Sequence, residues 1–217
     1  MFSFDLKSGY HHIEIHAEYQ TFLGFAWENR NYVFAVLPFG LSTAPYIFTK
    51  VLKPLENYWR HNCISIAVFL DDGWSTERDL AKCIEQSKTV RTDILNAGFI
   101  PNDVKSTWTP TKTIVWLGLQ WNSERGTLSI TQRRIDNIHN ALSKIVESGF
   151  VISARDLAKC VGQIISTGAV LGNISRIMTR HCSMSIASAS TWDKNFSLDV
   201  YCRQEIQFWQ RNLTKFN

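Results

Sequence analysis

The sequence predicts an α+β fold, in which mixed strands and helices are followed by an all-helical part. An apolar, β-branched run over 63–68 predicts a buried strand, which leads into Asp71-Asp72-Gly73. Residues 76–98 have the capping residues and the apolar spacing of a helix. We therefore expect an α+β domain over 1–130 and a helical domain over 131–217, where apolar residues recur at helical spacing.

The composition is that of a folded, slightly basic protein. The 217 residues are 45% hydrophobic and 19% charged, with a formal net charge of +4. The chain can therefore bury a core, and a polyanionic partner is compatible with its charge. Five scattered cysteines without a C-x-x-C pair argue against a disulfide framework or structural zinc. Because no apolar run reaches the ~18 residues of a membrane span, we expect an intracellular protein, in the cytoplasm or nucleus, with no membrane partner.

The first elements are a strand, a hairpin and a long helix. Met1–Leu6 has the pattern of a strand, and the aromatic segments Thr21–Trp27 and Tyr32–Leu37 predict a hairpin. Ser42 or Thr43 can cap the helix that follows. Pro54 lies late in this helix and is expected to kink it. The residues expected on its buried face are Ile47, Val51, Leu52 and Leu55.

A second helix and three strands complete the α+β domain. Thr76 and Asp79 resemble a capping box at the start of this helix, and Gly98 has the position of a C-terminal glycine. The stripe expected along the helix is Leu80, Ile84, Ser87, Val90, Arg91 and Ile94. The strands predicted after it are Val104–Trp108, Ile114–Trp121 and Thr127–Ile130.

The helical domain is predicted to hold four helical segments and one loop. The first segment contains Ile135–Val146, and the second begins at Ser153 with Asp156 in its first turn. Ile174–Thr179 forms a short third segment, and Leu198–Leu213 forms a last amphipathic helix. The Ser/Ala-rich stretch Ser183–Thr191 is expected to be a loop or linker.

Asp71 and Asp72 become a candidate metal site only in combination with a third carboxylate. Adjacent acids in a turn are commonly just solvated. Asp5, on the first predicted strand, can face Asp71 if that strand lies beside the hairpin. Divalent ions need several oxygen ligands at one point, which such a cluster would supply. A strand-end aspartate that accepts backbone hydrogen bonds is the alternative for Asp5.

Four motifs occur in order along the chain, and together they resemble a known family. They are Phe4–Ile13, Leu37–Pro45, Phe69–Asp72 and Trp116–Trp121. Their residues and spacing resemble the palm of a retrotransposon reverse transcriptase. In the helical domain, Ser153–Ala158 and Glu205–Trp209 resemble DIRS-like elements more than gypsy-like ones.

This resemblance implies a fold and an activity. The fold would be a polymerase palm, an antiparallel sheet backed by helices, followed by a helical thumb or connection region. Residues 17–37 would be a partial fingers region, and the rest of the fingers, with its triphosphate clamps, is expected to be missing. The activity would be RNA-directed DNA polymerisation, which adds dNTPs to a primer paired with an RNA or DNA template. Two Mg²⁺ ions, or Mn²⁺, are implied as cofactors, and a ribonuclease H domain is implied to follow in the parent polyprotein.

The resemblance also implies the residues of the catalytic centre. Asp5 and Asp71 would be the main metal ligands, with Asp72 and the backbone carbonyl of Leu6 in support. Lys105 would neutralise charge or donate a proton near the leaving pyrophosphate, although a solvated lysine is the alternative.

Three further groups are implied to contact substrates. Tyr10 would act as a steric gate against a 2′-hydroxyl, and a core tyrosine is its alternative. The residues implied at the nucleotide are Tyr10, Phe39 and Gly40, and those implied at the primer terminus are Trp116, Leu117 and Gly118, for which ordinary strand packing is the alternative. Lys and Arg outnumber the acids over 131–180. The residues expected to contact the nucleic-acid backbone are Arg133, Arg134, Lys144, Arg155 and Lys159, each of which can equally be a solvated helix residue.

A second functional hypothesis is a catalytically silent remnant that retains at most nucleic-acid binding, because loss of the triphosphate clamps would weaken nucleotide binding. The histidines, His12 among them, have no ligand-like spacing with cysteine, so we interpret them as structural or surface residues.

Overall fold

A computed structural model describes all 217 residues and confirms the α+β class, with ten strands and nine helices. The chain forms two compact units. The first contains Met1–Leu117 and Asn122–Arg125, and the second contains Gly118–Trp121 and Gly126–Asn217. None of the helices combines the length and the apolar character that crossing a membrane requires.

The first unit is built from short strands and two long helices. Its helices are α1 (Ala17–Gln20), α2 (Ala44–His61) and α3 (Leu80–Asn96). Its strands are β1 (Phe2–Asp5), β2 (Gly24–Trp27), β3 (Arg30–Val33), β4 (Ile66–Phe69), β5 (Asp72–Ser75) and β6 (Thr113–Trp116). The chain passes from one unit to the other after Leu117, within β7 (Leu119–Asn122) and after Arg125. The predicted hairpin is confirmed as β2 paired antiparallel with β3.

The central sheet of the first unit has the strand order β1-β5-β4, and both pairs are antiparallel. Gly73 of β5 lies opposite Phe4 of β1 and Val68 of β4. A Cβ atom at Gly73 would lie 2.2 Å from the Phe4 ring. Only glycine therefore allows Phe4 to pack across β5, and the Phe4 ring in turn packs edge-on against Trp59 of α2 and stacks on Trp108.

Helix α2 packs on this sheet through a face that is rotated from the predicted one but still includes Leu52. The buried residues are Ala44, Phe48, Leu52, Glu56 and Trp59. Val51 is 46% exposed, so its expected burial is wrong. The large rings of Phe48 and Trp59 bury more apolar surface than Val51 would, and they set the rotation of the helix.

Helix α3 begins later than its predicted capping box. Asp79 itself is the cap, and its Oδ1 accepts a hydrogen bond from the Lys82 N–H at 2.8 Å. Thr76 therefore lies outside the helix, and Leu80 is 64% exposed rather than part of a buried stripe. Val90 and Ile94 are buried as predicted, and Gly98 follows the helix with a left-handed φ of +83°.

Two predicted strands take other forms. Residues 104–108 are not a strand, because the Asn102 carbonyl accepts hydrogen bonds from the amides of Lys105 and Ser106 in a turn. Residues 114–121 are divided into β6 and β7, since Leu117 and Gly118 have left-handed φ angles of +50° and +73°. Such a turn cannot be recognised within a continuous apolar run when the first left-handed residue of the turn is a leucine rather than a glycine.

The second unit is mainly helical, but it is not all-helical as predicted. Its helices are α4 (Gln132–Glu147), α5 (Ala154–Ile165), α6 (Gly168–Leu171), α7 (Ile174–Ile177), α8 (Arg180–Ser188) and α9 (Val200–Asn212). Its remaining strands are β8 (Thr127–Ile130), β9 (Val151–Ser153) and β10 (Asn195–Ser197), and β9 pairs antiparallel with β10. The predicted loop at Ser183–Thr191 is wrong over Ser183–Ser188, which belong to α8. The Ser153 cap of α5 is confirmed, since its Oγ accepts from the Asp156 N–H at 3.2 Å.

We predict opposite effects on stability for two glycine-to-alanine substitutions. Gly73→Ala should lower the free energy of unfolding by about 1–3 kcal/mol, because the added methyl overlaps the Phe4 ring. Gly162 is exposed inside α5, and no atom lies within 4 Å of an added Cβ. Gly162→Ala should therefore raise the free energy of unfolding by about 0.5–1 kcal/mol. Urea unfolding monitored by tryptophan fluorescence measures both, and equal effects would contradict the packing described for Phe4.

Candidate active site

Three carboxylates meet at one end of the β1-β5-β4 sheet. Asp5 ends β1 and lies directly opposite Asp72, the first residue of β5. Asp71 occupies the turn between β4 and β5, where its carbonyl accepts a hydrogen bond from the Leu6 N–H at 2.9 Å. Opposite residues of an antiparallel pair share a face, so the register makes Asp5 and Asp72 neighbours, whereas the sequence suggested that Asp5 faces Asp71. The turn itself requires a left-handed φ of +53° at Leu70.

The ionised form of the Asp72 carboxyl is disfavoured by its surroundings. Burial is the largest cause that raises the pKa of Asp72 to about 6, and the charges of Asp71 and Asp5 raise it as well. A side-chain hydrogen bond with Asp5 acts in the same direction, while the charge of Lys105 lowers the pKa. Near neutral pH the cluster thus concentrates negative charge at a partly buried place, which a bound cation would relieve.

The cluster matches magnesium in donor type and charge. Carboxylate oxygens are the hard ligands that this ion prefers, and one or two of them suffice beside substrate phosphates. Leu6, whose carbonyl is implied as a further ligand, directly follows Asp5 and is tied to the Asp71 turn. No three side chains of His, Cys, Asp or Glu are already arranged to hold a metal ion.

The loop over 100–107 holds the backbone of Asp5 and carries Lys105. The Asp5 N–H donates to Ser106 Oγ at 3.1 Å, and the Asp5 carbonyl accepts from the Asn102 N–H at 2.7 Å. The Nζ atom of Lys105 lies 3.6 Å from Asp5 Oδ2. Because the lysine side chain is largely exposed, this ion pair is weak and Lys105 can turn to another anion.

Tyr10, Phe39 and Gly40 lie together in the first unit. Tyr10 belongs to a 3-10 turn, Gly9–His12, that follows β1. Its ring lies 4.9 Å from the Phe39 ring and 5.2 Å, edge-on, from the Phe48 ring of α2. Phe39 is 62% exposed, and Gly40 next to it has a φ of +89° with open space at its Cβ position. The three residues implied at the nucleotide thus form one partly exposed surface.

Close packing at Gly9 places this surface against the carboxylate cluster. A Cβ atom at Gly9 would lie 2.9 Å from the Phe48 ring and 3.1 Å from Asp71 Cβ. Gly9 is therefore held between α2 and the turn that carries Asp71, and it sets the position of Tyr10 beside Asp71.

The residues implied at the primer terminus lie at the end of β6. Trp116 stacks on Trp74 of β5, with ring centroids 5.7 Å apart and an interplanar angle of 22°. Trp74 is two residues from Asp72, so it lies on the same face of β5. Sequence reasoning missed Trp74, although the two-residue spacing from Asp72 would have indicated it. Leu117 lies in the first unit and Gly118 in the second.

Arg134 and Arg155, two of the five basic residues implied at the nucleic-acid backbone, already have partners in the second unit. Arg134 donates to the Gly118 carbonyl at 3.3 Å and to Ser166 Oγ at 2.6 Å. Arg155 forms an ion pair with Asp193 at 2.6 Å. The guanidinium of Arg134 therefore supports the turn at Gly118.

The remaining three basic residues differ in whether they already take part in an ion pair. Lys159 lies 3.0 Å from Asp156, one turn earlier in α5. Arg133 and Lys144 of α4 are exposed and take part in no ion pair. Of the five, these two are the most available to a phosphate.

Comparison with known proteins gives a family match over more than half of the chain. The family model described as reverse transcriptase (RNA-dependent DNA polymerase) matches residues 1–121. Genome polyproteins of two isolates of Petunia vein clearing virus are each 36% identical over 69 residues, which is 32% of this chain and 3% of the polyprotein. Polyprotein P3 of Commelina yellow mottle virus is also 36% identical over 69 residues, 32% of this chain and 4% of its own length.

Solved structures with the same fold are those of a foamy viral protease-reverse transcriptase. Its complex with an RNA/DNA hybrid has a TM-score of 0.77 at 20% identity, covering 98% of this chain and 27% of that chain. Its complex with double-stranded DNA has a TM-score of 0.69 at 20% identity, covering 97% of this chain and 41% of that chain. The present chain thus spans less than half of the length of each of these proteins.

We predict that Asp72→Asn stabilises the protein in a pH-dependent manner in metal-free buffer. The folded state holds the Asp72 proton more tightly than the unfolded state, in which the pKa of this carboxyl is near 3.8. The ionised carboxylate therefore destabilises the fold in full above about pH 6, and this destabilisation disappears below pH 3.8. Discounted for partial exposure, Asp72→Asn should raise Tm by about 2–4 °C at pH 8 and by less at pH 5.

Asp103→Asn is the control, measured in the same circular dichroism melts. Hydrogen bonds from Arg91 and Trp108 lower the pKa of Asp103, so its stabilisation is complete above pH 3.8 and is lost only below it. This variant should lower Tm equally at pH 5 and pH 8. A gain for Asp72→Asn that is the same at both pH values would contradict the electrostatic account of the cluster.

Proposed function

This chain belongs to the reverse transcriptase (RNA-dependent DNA polymerase) family, and from that premise we propose that it is the RNA-directed DNA polymerase core of a retrotransposon-like element. The observation that carries this proposal is the meeting of Asp5, Asp71 and Asp72 at one end of the central sheet. The membership of the element in the DIRS-like or gypsy-like group stays a prediction.

The proposed reaction is the attack of a primer 3′-hydroxyl on the α-phosphorus of a dNTP, with pyrophosphate as the leaving group. Asp5, Asp71 and Asp72, with the carbonyl of Leu6, would hold two Mg²⁺ or Mn²⁺ ions. When bound, such ions stabilise charge on the reacting oxygens and favour ionisation of the attacking hydroxyl. The partial burial of the carboxylates strengthens this electrostatic effect, because less water screens it.

Tyr10 is the proposed steric gate of the nucleotide site. Its ring is held between Phe39 and Phe48 and lies next to the Asp71 turn through Gly9. A 2′-hydroxyl on the incoming nucleotide would meet this ring, so ribonucleotides would be rejected by repulsion. Phe39 and Gly40 provide the apolar floor and the space beneath the base.

Lys105 is the proposed partner of the leaving pyrophosphate. Its exposed ammonium group is 3.6 Å from Asp5, close enough to the cluster to reach a phosphate there. It would neutralise charge on the leaving group or donate a proton to it.

The proposed macromolecular partner is a primer paired with an RNA or DNA template. The foamy viral relatives of the fold were solved with an RNA/DNA hybrid and with double-stranded DNA, which supports a duplex as the partner here. Trp116–Gly118 would contact the primer end, and Arg133 and Lys144 would contact phosphates without reading bases. Arg134, Arg155 and Lys159 would have to exchange their present partners to do so. We also propose a ribonuclease H domain in the parent polyprotein and an intracellular location.

A catalytically silent remnant that still binds nucleic acid is the second candidate function. Its binding to nucleic acid would use exposed basic residues such as Arg133 and Lys144, which do not depend on the carboxylates. A single assay decides between the two.

We predict magnesium-dependent extension of a DNA primer on an RNA template by the unmutated chain. Asp71→Asn should reduce the rate by more than about 100-fold, beyond the loss typical of groups outside the ligand set. Glu85→Gln, which removes a charge from an exposed position on α3, should extend at the unmutated rate. Extension is followed by gel electrophoresis, with duplex binding measured by fluorescence anisotropy in parallel. Duplex binding without any extension by the unmutated chain would favour the silent remnant.

We predict that the ring of Tyr10, and not its hydroxyl, selects deoxynucleotides. Tyr10→Ala should reduce the preference for a dNTP over the matching rNTP by about 10–200-fold, the range for a pocket that differs by one small group. Tyr10→Phe should keep the preference. Single-nucleotide insertion kinetics measure both ratios, and equal ratios for the alanine and phenylalanine variants would exclude a steric gate at this position.

A further inference from the structure

His12 forms two hydrogen bonds, one within its own turn and one to a distant part of the first unit. It is the last residue of the 3-10 turn Gly9–His12, which also carries Tyr10. Its Nδ1 lies 3.1 Å from the carbonyl oxygen of Gly9, within the same turn. Its Nε2 lies 3.1 Å from the backbone nitrogen of Ile100, 88 positions further along the chain.

These partners allow only one form of the imidazole. The Ile100 N–H can only donate, so His12 Nε2 must accept. The Gly9 carbonyl can only accept, so His12 Nδ1 must carry the proton. A neutral ring with its proton on Nδ1 satisfies both bonds, and no other protonation state does.

Ile100 opens the loop that fixes Asp5 and carries Lys105. The Ile100 carbonyl accepts from the Lys7 N–H at 2.8 Å, and two residues later the Asn102 N–H donates to the Asp5 carbonyl at 2.7 Å. The bond from Ile100 to His12 is thus the first of a series that aligns this loop along the end of β1.

A series of ring contacts connects the same two places. Tyr10 packs against Phe48, Phe48 packs against Phe99 at 6.2 Å, and Phe99 packs against the His12 ring at 5.4 Å. His12 therefore closes a loop of contacts that begins at Tyr10. The turn that carries Tyr10 and the loop that carries Lys105 cannot move apart without breaking a bond to this imidazole.

We propose that His12 is a positioning residue, which fastens the Tyr10 turn to the Lys105 loop and so fixes the distance between the sugar-selecting ring and the group that meets the pyrophosphate. This inference rests on the proposed polymerase function. It assigns His12 no contact with substrate. Its effect is on nucleotide selection and affinity, through the positions of Tyr10 and Lys105.

Two amide substitutions separate the two hydrogen bonds. In His12→Gln, the side-chain oxygen reaches as far as Nε2 and can accept from the Ile100 N–H. In His12→Asn, the shorter amide reaches only as far as Nδ1 and can donate to the Gly9 carbonyl, which leaves Ile100 without its acceptor. Both variants carry an amide side chain, but only His12→Gln keeps the hydrogen bond that connects the Tyr10 turn to the Lys105 loop.

Amide hydrogen exchange tests the connection without any requirement for activity. Loss of one hydrogen bond should speed exchange at Ile100 in His12→Asn by about fivefold, the factor that corresponds to ~1 kcal/mol, and exchange at Asn102 should also quicken. His12→Gln should exchange like the unmutated chain, and Ile206 in the second unit should be unaffected in both. Unchanged exchange at Ile100 and Asn102 in His12→Asn would overturn the proposal.

Insertion kinetics with a dNTP and the matching rNTP test the consequence. His12→Asn should raise KM for the dNTP more than it lowers kcat and should reduce the dNTP preference by about fivefold. His12→Gln should stay within about twofold of the unmutated ratio. The proposal would be overturned if both variants kept the dNTP preference of the unmutated chain, or if both lost it to the same extent. Failure of the unmutated chain to extend any primer would instead overturn the proposed function, and the exchange rates would still decide whether His12 makes the connection.

Discussion

The antiparallel register that sets Asp5 opposite Asp72 is the constraint on which the rest of the site depends. It is maintained by Gly73, over which the Phe4 ring packs. A shift of one residue would place a side chain under Phe4 and turn Asp72 to the other face of the sheet. The edge contact of Phe4 with Trp59 and its stacking on Trp108 resist such a shift from the other side. Core packing therefore determines where the charges lie.

The same arrangement sets the stability of the fold against the function proposed for the site. Three carboxylates near one another repel, and partial burial of Asp72 adds to the free energy of its charge, as its raised pKa shows. The buried aromatic core around Phe2, Phe48 and Trp59 offsets this, because large rings contribute most to the apolar surface removed from water. Sites of this kind are the usual place where a protein departs from its most stable sequence.

The sequence predicted the parts of the site that depend on local pattern. The apolar run before Asp71, the Ser153 cap and the β2–β3 hairpin each follow from neighbouring residues, and the structure has all three. The partner of Asp5, the stacking of Trp74 on Trp116 and the bonds of His12 depend on strand register and on residues far away in the chain. The turn at Leu117 was missed because leucine rarely adopts a left-handed φ, and tertiary packing overrode that preference.

The hydrogen bond from the Asp5 N–H to Ser106 Oγ spans 101 positions of the chain. Contacts between such distant positions form late in folding, because a long loop must close before they contribute. During synthesis, β1 emerges before its partners and stays without them until β5 and the loop to Ser106 have been made. The strand that ends at Asp5 is therefore among the last parts of the first unit to become native, and an assembled carboxylate cluster marks a first unit that has finished folding.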